Sequence, residues 1–188
     1  MSTDSTTENQ SDQPAPAFRF GFSRDWPSYF AVMEGKGPRD TTTLALDAFA
    51  AEGIPDASKI VTADARIPFA VDLGCGEGRD TQAILARGWR VTAIDASESA
   101  FETMAKRGIL DHPALTTRVE PFEECSIPGC DFLNASFSLP FCHPDRFKAL
   151  WTIITYAIAP GGRLACQLFG DRATWAPLPA RSHFNRAD

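Results

Sequence analysis

The stretch Val71-Asp-Leu-Gly-Cys-Gly-Glu-Gly-Arg79 decides the fold class of this chain. It joins a short apolar run, Phe69 to Leu73, to a segment from Asp80 to Arg87 that has the length of a short helix and stops at Gly88. Glycine has no Cβ, so a glycine-rich turn lets the backbone approach a ligand closely. The helix behind the turn adds free N–H groups and the positive end of its dipole. The stretch therefore predicts a ligand-binding turn between a buried strand and a helix.

The residues around the glycines indicate which ligand the turn binds. A dinucleotide fingerprint, G-x-G-x-x-G, requires glycine at position 79, where this chain has arginine. An acid, Asp72, stands two residues before the first glycine. A carboxylate there is unsuited to a pyrophosphate but matches the ammonium and sulfonium charges of S-adenosyl-L-methionine (SAM). The turn thus favours SAM, and a nicotinamide-binding oxidoreductase is a less favoured alternative.

A second acid marks the end of the next strand, Val91-Thr-Ala-Ile-Asp95. In doubly wound folds, an acid at this position accepts hydrogen bonds from the two ribose hydroxyls of the ligand. Asp95 is also placed to cap a helix that follows Ser97. Because the strand comes directly after the glycine-rich turn and its helix, we favour the ribose-binding role.

Strands and helices alternate along the rest of the chain. The helices have one-sided apolar patterns and the strands are short apolar runs, except for a weak strand over 116–121, which predicts an α/β fold. We expect a doubly wound, Rossmann-like, mostly parallel sheet of five strands with helices on both faces. The predicted elements beyond the first two strands are helices from Thr41 (with Leu44, Ala45, Ala48 and Phe49 on one stripe), from Ser97 (Phe101, Met104 and Ala105 inward) and over 145–159 (Phe147, Leu150, Trp151, Ile154 and Ile158 on one face), and strands over 116–121, 131–135 and, after Pro160-Gly-Gly162, 163–169.

Residues 71–95 resemble the first two motifs of class I SAM-dependent methyltransferases. Asn134-Ala-Ser-Phe-Ser-Leu-Pro-Phe141 resembles the segment after the fourth strand, where cofactor and substrate meet in that family. Pro160-Gly-Gly-Arg-Leu164 resembles the turn into the fifth strand. The similarity runs from about Phe69 to Gly170 and is greatest to small-molecule enzymes of the tellurite-resistance type.

The resemblance implies SAM as cofactor, a small molecule as methyl acceptor, and a set of cofactor-binding residues. The loop would hold the methionine part, Asp95 the ribose, and Ala96 would pack near the adenine. The acid that the family often has after the third strand is replaced by Pro121, so Phe122 and Glu123 are expected to take over stacking and hydrogen bonding. The complete predicted set is Asp72, Gly74, Cys75, Gly76, Gly78, Asp95, Ala96, Phe122, Glu123, Asn134 and Ser136.

The sequence offers little for acid–base catalysis. A soft anion or thiol acceptor needs no protein base, whereas an amine or hydroxyl acceptor can require one. His143 is the candidate base, and a solvated loop histidine next to Pro144 is the alternative. Trp26 and Tyr29, in an aromatic segment near the N-terminus, either cover the cofactor or pack into the core. We predict no metal site, because the spacing of the cysteines and His143 matches no common zinc pattern.

Composition excludes several function classes. A chain of 188 residues is sufficient for one domain, and a net charge of −6 without a basic cluster argues against a nucleic-acid partner. No apolar run reaches the roughly 18 residues that a membrane span needs, and the N-terminus has no signal-peptide pattern. Five cysteines without a C-x-x-C pair suit a reducing compartment, so a cytoplasmic protein is expected.

We expect three segments: a disordered polar tail (1–17), an aromatic arm with a helix (18–60), and the SAM-binding core (61–188). The fold that the core resembles continues after its fifth strand with an antiparallel hairpin. The residues after Phe169 contain two prolines and few alternating apolar positions. They predict that the hairpin strands are missing and the chain is C-terminally truncated. The uncovered fifth-strand edge would then permit self-association, and a SAM-binding homologue without activity is the alternative to an active enzyme.

Overall fold

The computed structural model describes residues 25–54, 66–122 and 124–170. The predictions for the tail 1–17, for Glu123 and for the residues after 170 lie outside these ranges. Within them, the elements are α1 (Trp26–Met33), α2 (Asp40–Ala51), β1 (Phe69–Leu73), α3 (Arg79–Ala86), β2 (Arg90–Asp95), α4 (Glu98–Lys106), β3 (Leu115–Val119), β4 (Cys130–Ser136), a 3-10 turn (Leu139–Phe141), α5 (Pro144–Ala157) and β5 (Ile158–Gln167).

The five strands form one parallel sheet in the order β3-β2-β1-β4-β5. The chain winds from β1 to one side and then returns to pair β4 with the other side of β1. The predicted α/β fold with a parallel, doubly wound sheet is therefore confirmed. In such sheets, ligands bind beyond the carboxyl ends of the strands at the point where the winding reverses, here between β1 and β4.

Two apolar clusters cover the two faces of the sheet. Successive residues of β4 point to opposite faces, so Phe132 packs with α2 and α3, and Leu133 packs with α5. Burial on both faces explains why the central strands are nearly continuous apolar runs without alternation. The ring of Phe49 in α2 lies 4.9 Å from that of Trp89, which anchors this helix to the sheet.

The inward faces of three helices differ from the prediction. In α5, Leu150 and Ile154 are buried as predicted, but Trp151 is 38% exposed. In α2, the buried residues are Thr42, Leu46 and Phe49, whereas Leu44 is 68% exposed. Leu46 and Phe49 both face the core. Because residues 44 and 46 are about 200° apart around a helix, Leu44 then points outward. In α4, Phe101 and Met104 are buried as predicted, but Ala105 is exposed.

The fifth strand begins earlier than predicted. β5 starts at Ile158, directly after α5, and Pro160-Gly161-Gly162 lies within it. Cys130 pairs with Ile158 and Phe132 with Arg163, so the intervening residues bulge opposite Asp131. At Gly162 a Cβ would lie 2.7 Å from the carbonyl oxygen of Asp131, which explains the glycine there. The motif marks a bulge inside a strand, and Ile158 belongs to that strand and not to the helix.

The far edge of β5 has no strand partner among residues 25–170 that the structure describes. Among the helices described, none combines the length and the apolarity that crossing a membrane requires.

Gly78 allows a prediction about the stability of the turn. Its φ is +81°, and a Cβ would lie 2.7 Å from Cγ of the buried Met104. Gly108 has a similar φ of +71° with nothing near its Cβ position. An alanine at either position costs about 1–2 kcal/mol because a residue with a Cβ disfavours the left-handed conformation. Only in Gly78→Ala does the new Cβ also overlap with a side chain, that of Met104.

We therefore expect Gly78→Ala to lower the thermal unfolding midpoint further than Gly108→Ala, by about 2–4 °C for each additional kcal/mol. Circular dichroism of the two variants side by side measures this difference. Equal midpoints would show that Met104 moves aside without cost.

Candidate functional site

A cavity of about 320 Å³ opens at the carboxyl ends of the strands. The loops after all five strands and helix α1 contribute to its walls, which agrees with the expected ligand position in this fold. Its lining residues are Trp26, Tyr29, Phe30, Met33, Arg39, Asp72, Gly74, Cys75, Gly76, Glu77, Arg79, Asp80, Asp95, Ala96, Ser97, Glu120, Pro121, Phe122, Ser136, Phe137, Ser138, Phe141 and Phe169.

The glycine-rich loop is held against the neighbouring strand. The N–H groups of Gly74 and Cys75 both donate to the carbonyl of Ile94, at 2.7 and 3.1 Å. Gly74 has a φ of +71°, and a Cβ there would overlap Ser138. The loop therefore needs glycine for its backbone conformation and for the close approach of the β4 loop.

Asp72 is almost completely buried at the end of β1, and both of its carboxylate oxygens accept hydrogen bonds. Oδ2 accepts from the Thr81 hydroxyl at 2.5 Å, and Oδ1 accepts from the Asn134 amide at 2.8 Å. Burial, reinforced by the nearby charge of Asp80, raises the pKa of Asp72 to about 7 from an ordinary value of 3.8. The predicted acid is thus in the cavity wall, in surroundings that disfavour its negative charge.

Asp80 is a site residue that the sequence analysis missed. It is 5% exposed and lines the cavity beside Asp72. Its Oδ1 accepts the backbone N–H of Arg39 at 2.7 Å, which ties the start of α2 to the start of α3. In the sequence, an acid in the first turn of a helix is explained by the helix dipole. Only the approach of Arg39, 41 positions away, identifies its second role.

Asn134, predicted to contact the cofactor, is fully buried and bonds to the carboxylates. Its amide nitrogen donates to Asp72 and, at 3.4 Å, to Asp80. Its amide oxygen accepts from the hydroxyls of Thr42 at 3.1 Å and Ser136 at 3.0 Å. Two adjacent buried acids require a shared donor, and Asn134 supplies it from behind the cavity wall. Ser136, from the same strand, does line the cavity.

Asp95 connects the glycine-rich loop to the start of α4. Its Oδ2 accepts the N–H of Gly76 and its Oδ1 the N–H of Ser97, both at 2.9 Å. Burial raises the pKa of Asp95, and these backbone hydrogen bonds oppose the shift. The carboxylate of Asp95 therefore contacts Ser97, the residue before α4, and also lines the cavity. Ala96 and Phe122 line the cavity as well, as predicted.

His143 lies away from the cavity-lining residues. Its Nδ1 accepts the N–H of Asp145 at 3.1 Å, so the side chain caps the first turn of α5. The part of the lining that the structure describes contains no histidine or lysine. The geometry therefore gives this histidine a capping role in the fold and no contact with the cavity.

Helix α1 covers the glycine-rich loop. Trp26 and Tyr29 line the cavity, and the Trp26 ring lies 5.1 Å from the ring of Phe141. Phe30 is the buried residue of this helix, and a Cβ on Gly76 would lie 3.3 Å from its ring. Of the two predicted roles for Trp26 and Tyr29, the covering position is the one observed.

Comparison with known proteins gives a consistent result. Residues 70–162 match a family model described as a methyltransferase domain. Trans-aconitate 2-methyltransferase of Paracidovorax citrulli (strain AAC00-1) is 33% identical over 119 residues, which cover 57% of this chain and 43% of that enzyme. The chain thus spans less than half the length of this curated relative.

Two solved structures share the fold. The first is Burkholderia thailandensis 1,6-didemethyltoxoflavin-N1-methyltransferase, solved with its toxoflavin precursor and S-adenosylhomocysteine, with a TM-score of 0.53 at 23% identity over 73% of this chain and 54% of that one. The second is TehB from Haemophilus influenzae, with a TM-score of 0.54 at 21% identity over 71% of this chain and 46% of that one.

The raised pKa of Asp72 predicts a pH-dependent cost to stability. Between its ordinary value of 3.8 and about 7, the folded protein keeps a proton that the unfolded chain releases. The free energy of unfolding therefore falls as the pH rises through this window. Asp72→Asn carries no charge and can keep both hydrogen-bond partners.

We expect Asp72→Asn to unfold at a higher temperature than the wild type at pH 8, with a smaller difference at pH 5. Thermal unfolding at both pH values measures the effect, and Asp111→Asn, at an exposed position, is the control. A difference that is constant or larger at pH 5 would contradict the raised pKa.

Proposed function

We propose that this chain, of which residues 70–162 match a methyltransferase domain, is a class I SAM-dependent methyltransferase that binds SAM in the cavity and methylates a small-molecule acceptor. The observation that carries the proposal is a pair of acids on either side of the glycine-rich loop, the buried Asp72 and the half-buried Asp95. An acid before the loop matches a cationic ligand, and an acid after the next strand matches a ribose.

The charges around the cavity support SAM over a dinucleotide. Among the residues that the structure describes, five acids line the cavity: Asp72, Glu77, Asp80, Asp95 and Glu120. The lining cations are Arg39 and Arg79, and Nε of Arg79 lies 3.4 Å from Glu77. An excess of negative charge attracts a sulfonium and an ammonium group and repels a pyrophosphate. Gly74 and Gly76 line the cavity, and their missing Cβ atoms let Ser138 and Phe30 pack closely against the loop.

Each residue then has a defined task. SAM, when bound, supplies a methyl group on a sulfonium, an electrophile that needs no activation by the protein. Asp72, with Asp80 beside it, balances the positive charge of the methionine part. Asp95 already accepts two backbone N–H groups, and its remaining lone pairs are available to ribose hydroxyls. Ala96 and Phe122 supply apolar surface for the adenine, with Glu123 as the proposed hydrogen-bonding partner.

The acceptor side supports a small molecule. The curated relative and the Burkholderia enzyme are named for transfer to trans-aconitate and to 1,6-didemethyltoxoflavin, respectively. The cavity described here is enclosed by α1 above the glycine-rich loop. Holding the acceptor in line with the methyl group and excluding water is the main contribution required of the protein, and such positioning is worth roughly 7–11 kcal/mol.

Isothermal titration calorimetry with S-adenosylhomocysteine, the demethylated product of SAM, tests the cofactor site. We expect saturable binding by the wild type and a loss of about 10- to 100-fold in Asp95→Asn, since the substitution weakens hydrogen bonds to a charged acceptor. Asp111→Asn, exposed and outside the cavity lining, should bind like the wild type.

NADH is the comparison ligand in the same titration. If the folded protein binds NADH as tightly as it binds S-adenosylhomocysteine, the proposed cofactor is wrong. It is also wrong if the folded protein binds neither ligand. Release of S-adenosylhomocysteine from SAM in the presence of candidate acceptors then measures turnover, and cofactor binding without turnover would favour a binding protein.

A further inference from the structure

We propose that the acceptor is a flat, unsaturated molecule, aromatic or heteroaromatic, that binds against one aromatic wall of the cavity. The aromatic wall consists of Trp26, Phe137, Phe141 and Phe169, all of which line the cavity. The inference rests on the proposed function, because it concerns the part of the same cavity that remains for the methyl acceptor.

The four rings of the aromatic wall are continuous. Trp26 meets Phe141 edge to face with ring centroids 5.1 Å apart, and Phe141 meets Phe169 in the same manner at 6.0 Å. Phe169 stacks on Phe137 at 5.4 Å with an angle of 18° between the rings. These are the offset and edge-to-face geometries that aromatic rings prefer. The guanidinium of Arg39 lies over the Phe137 ring, 4.6 Å from its centre, so a flat ligand can extend the aromatic arrangement beside one cation.

The strand order separates this wall from the cofactor residues. Phe137 and Phe141 follow β4, and Phe169 follows β5. The glycine-rich loop and Asp95 lie at the ends of β1 and β2. Because the sheet runs β2-β1-β4-β5, the acidic residues and the aromatic wall lie on different sides of one cavity. A ligand can therefore occupy the wall beside the cofactor.

Phe137 has a backbone conformation that points to a function for its ring. Its φ is +56°, and it is the one non-glycine residue with a positive φ among those that the structure describes. Such a conformation is unfavourable for a residue with a Cβ and is retained where the surrounding structure enforces it. The N–H of Phe137 donates to the carbonyl of Gln167 at 3.0 Å, which fixes this conformation between β4 and β5.

The chemistry of the wall selects among acceptors. Aromatic rings offer edge-to-face and stacking contacts that a saturated ring of equal size cannot match. A small hydrated oxyanion would lose water against the three phenylalanine rings of this wall and gain no hydrogen bond from them. An acceptor with an available lone pair, such as a ring nitrogen or a phenolic oxygen, can take the methyl group directly, and the carboxylates in the lining can accept a proton that it releases.

A pair of probes with the same carbon skeleton tests the proposal: 2-naphthol, which is flat, and decahydro-2-naphthol, which is saturated. Both are titrated calorimetrically into protein already saturated with S-adenosylhomocysteine, and tellurite is titrated as the small oxyanion. We expect 2-naphthol to bind about tenfold tighter than the saturated probe, in proportion to the energy of one or two aromatic contacts. Equal binding of the two probes, or tighter binding of tellurite, would overturn the inference.

Two variants assign the preference to the wall. Phe137→Leu and Phe169→Leu each remove a ring and keep an apolar side chain, and we expect both to reduce the preference for 2-naphthol. Tyr156→Leu removes an aromatic ring that is 87% exposed on α5 and should leave the preference intact. A preference that survives in both wall variants would show that other residues cause it.

The prior titration separates the two possible failures. If S-adenosylhomocysteine does not bind, the proposed function fails before the acceptor is tested. If it binds and 2-naphthol shows no advantage, the inference about the acceptor fails alone.

Discussion

The burial of two neighbouring carboxylates, Asp72 and Asp80, is the constraint on which the site depends. Negative charges out of water are costly unless they are hydrogen-bonded. Asn134 donates to both acids, Thr81 donates to Asp72, and the backbone of Arg39 donates to Asp80. These donors come from β4, α3 and the segment before α2, so three parts of the chain are positioned by the need to satisfy two acids.

The same constraint explains why the N-terminal helices lie where they do. Arg39 brings the start of α2 to α3, and Thr42, in the first turn of α2, donates to the amide oxygen of Asn134. Phe49 then fixes the far end of α2 on the sheet next to Trp89. The helix is held by hydrogen bonds at one end and by apolar packing at the other, and α1, which precedes it, is thereby placed within reach of the cavity.

The sequence predicted the fold well, because burial on both faces of a parallel sheet leaves a strong apolar signal in β1, β2 and β4. It also placed Asp72, Asp95, Gly74 and Gly76 in the cavity wall, since their spacing is imposed by one strand-turn-helix unit. Gly78, which was predicted with them, lies against Met104 and is not part of the lining. The roles of Asp80 and Asn134 depend on contacts between residues distant in the chain, which no local pattern contains. The sequence analysis took Pro160-Gly161-Gly162 for a turn before the fifth strand, whereas these residues form a bulge inside it. Proline and glycine are common both in turns and in bulges, so the sequence does not distinguish the two.

The division of the cavity into an acidic side and an aromatic side follows from topology. Asp72 and Asp95 lie at the ends of β1 and β2, and Asp80 lies at the start of α3, so this side of the cavity carries the acids that suit a cationic ligand. β4 and β5 end in phenylalanines that are held together by the register of one strand pair, Ser136 with Gln167 being its last members. A cationic methyl donor and the flat acceptor proposed above have opposite demands on solvation. A single cavity can satisfy both only if its charged and apolar walls come from different strands, as they do in this sheet.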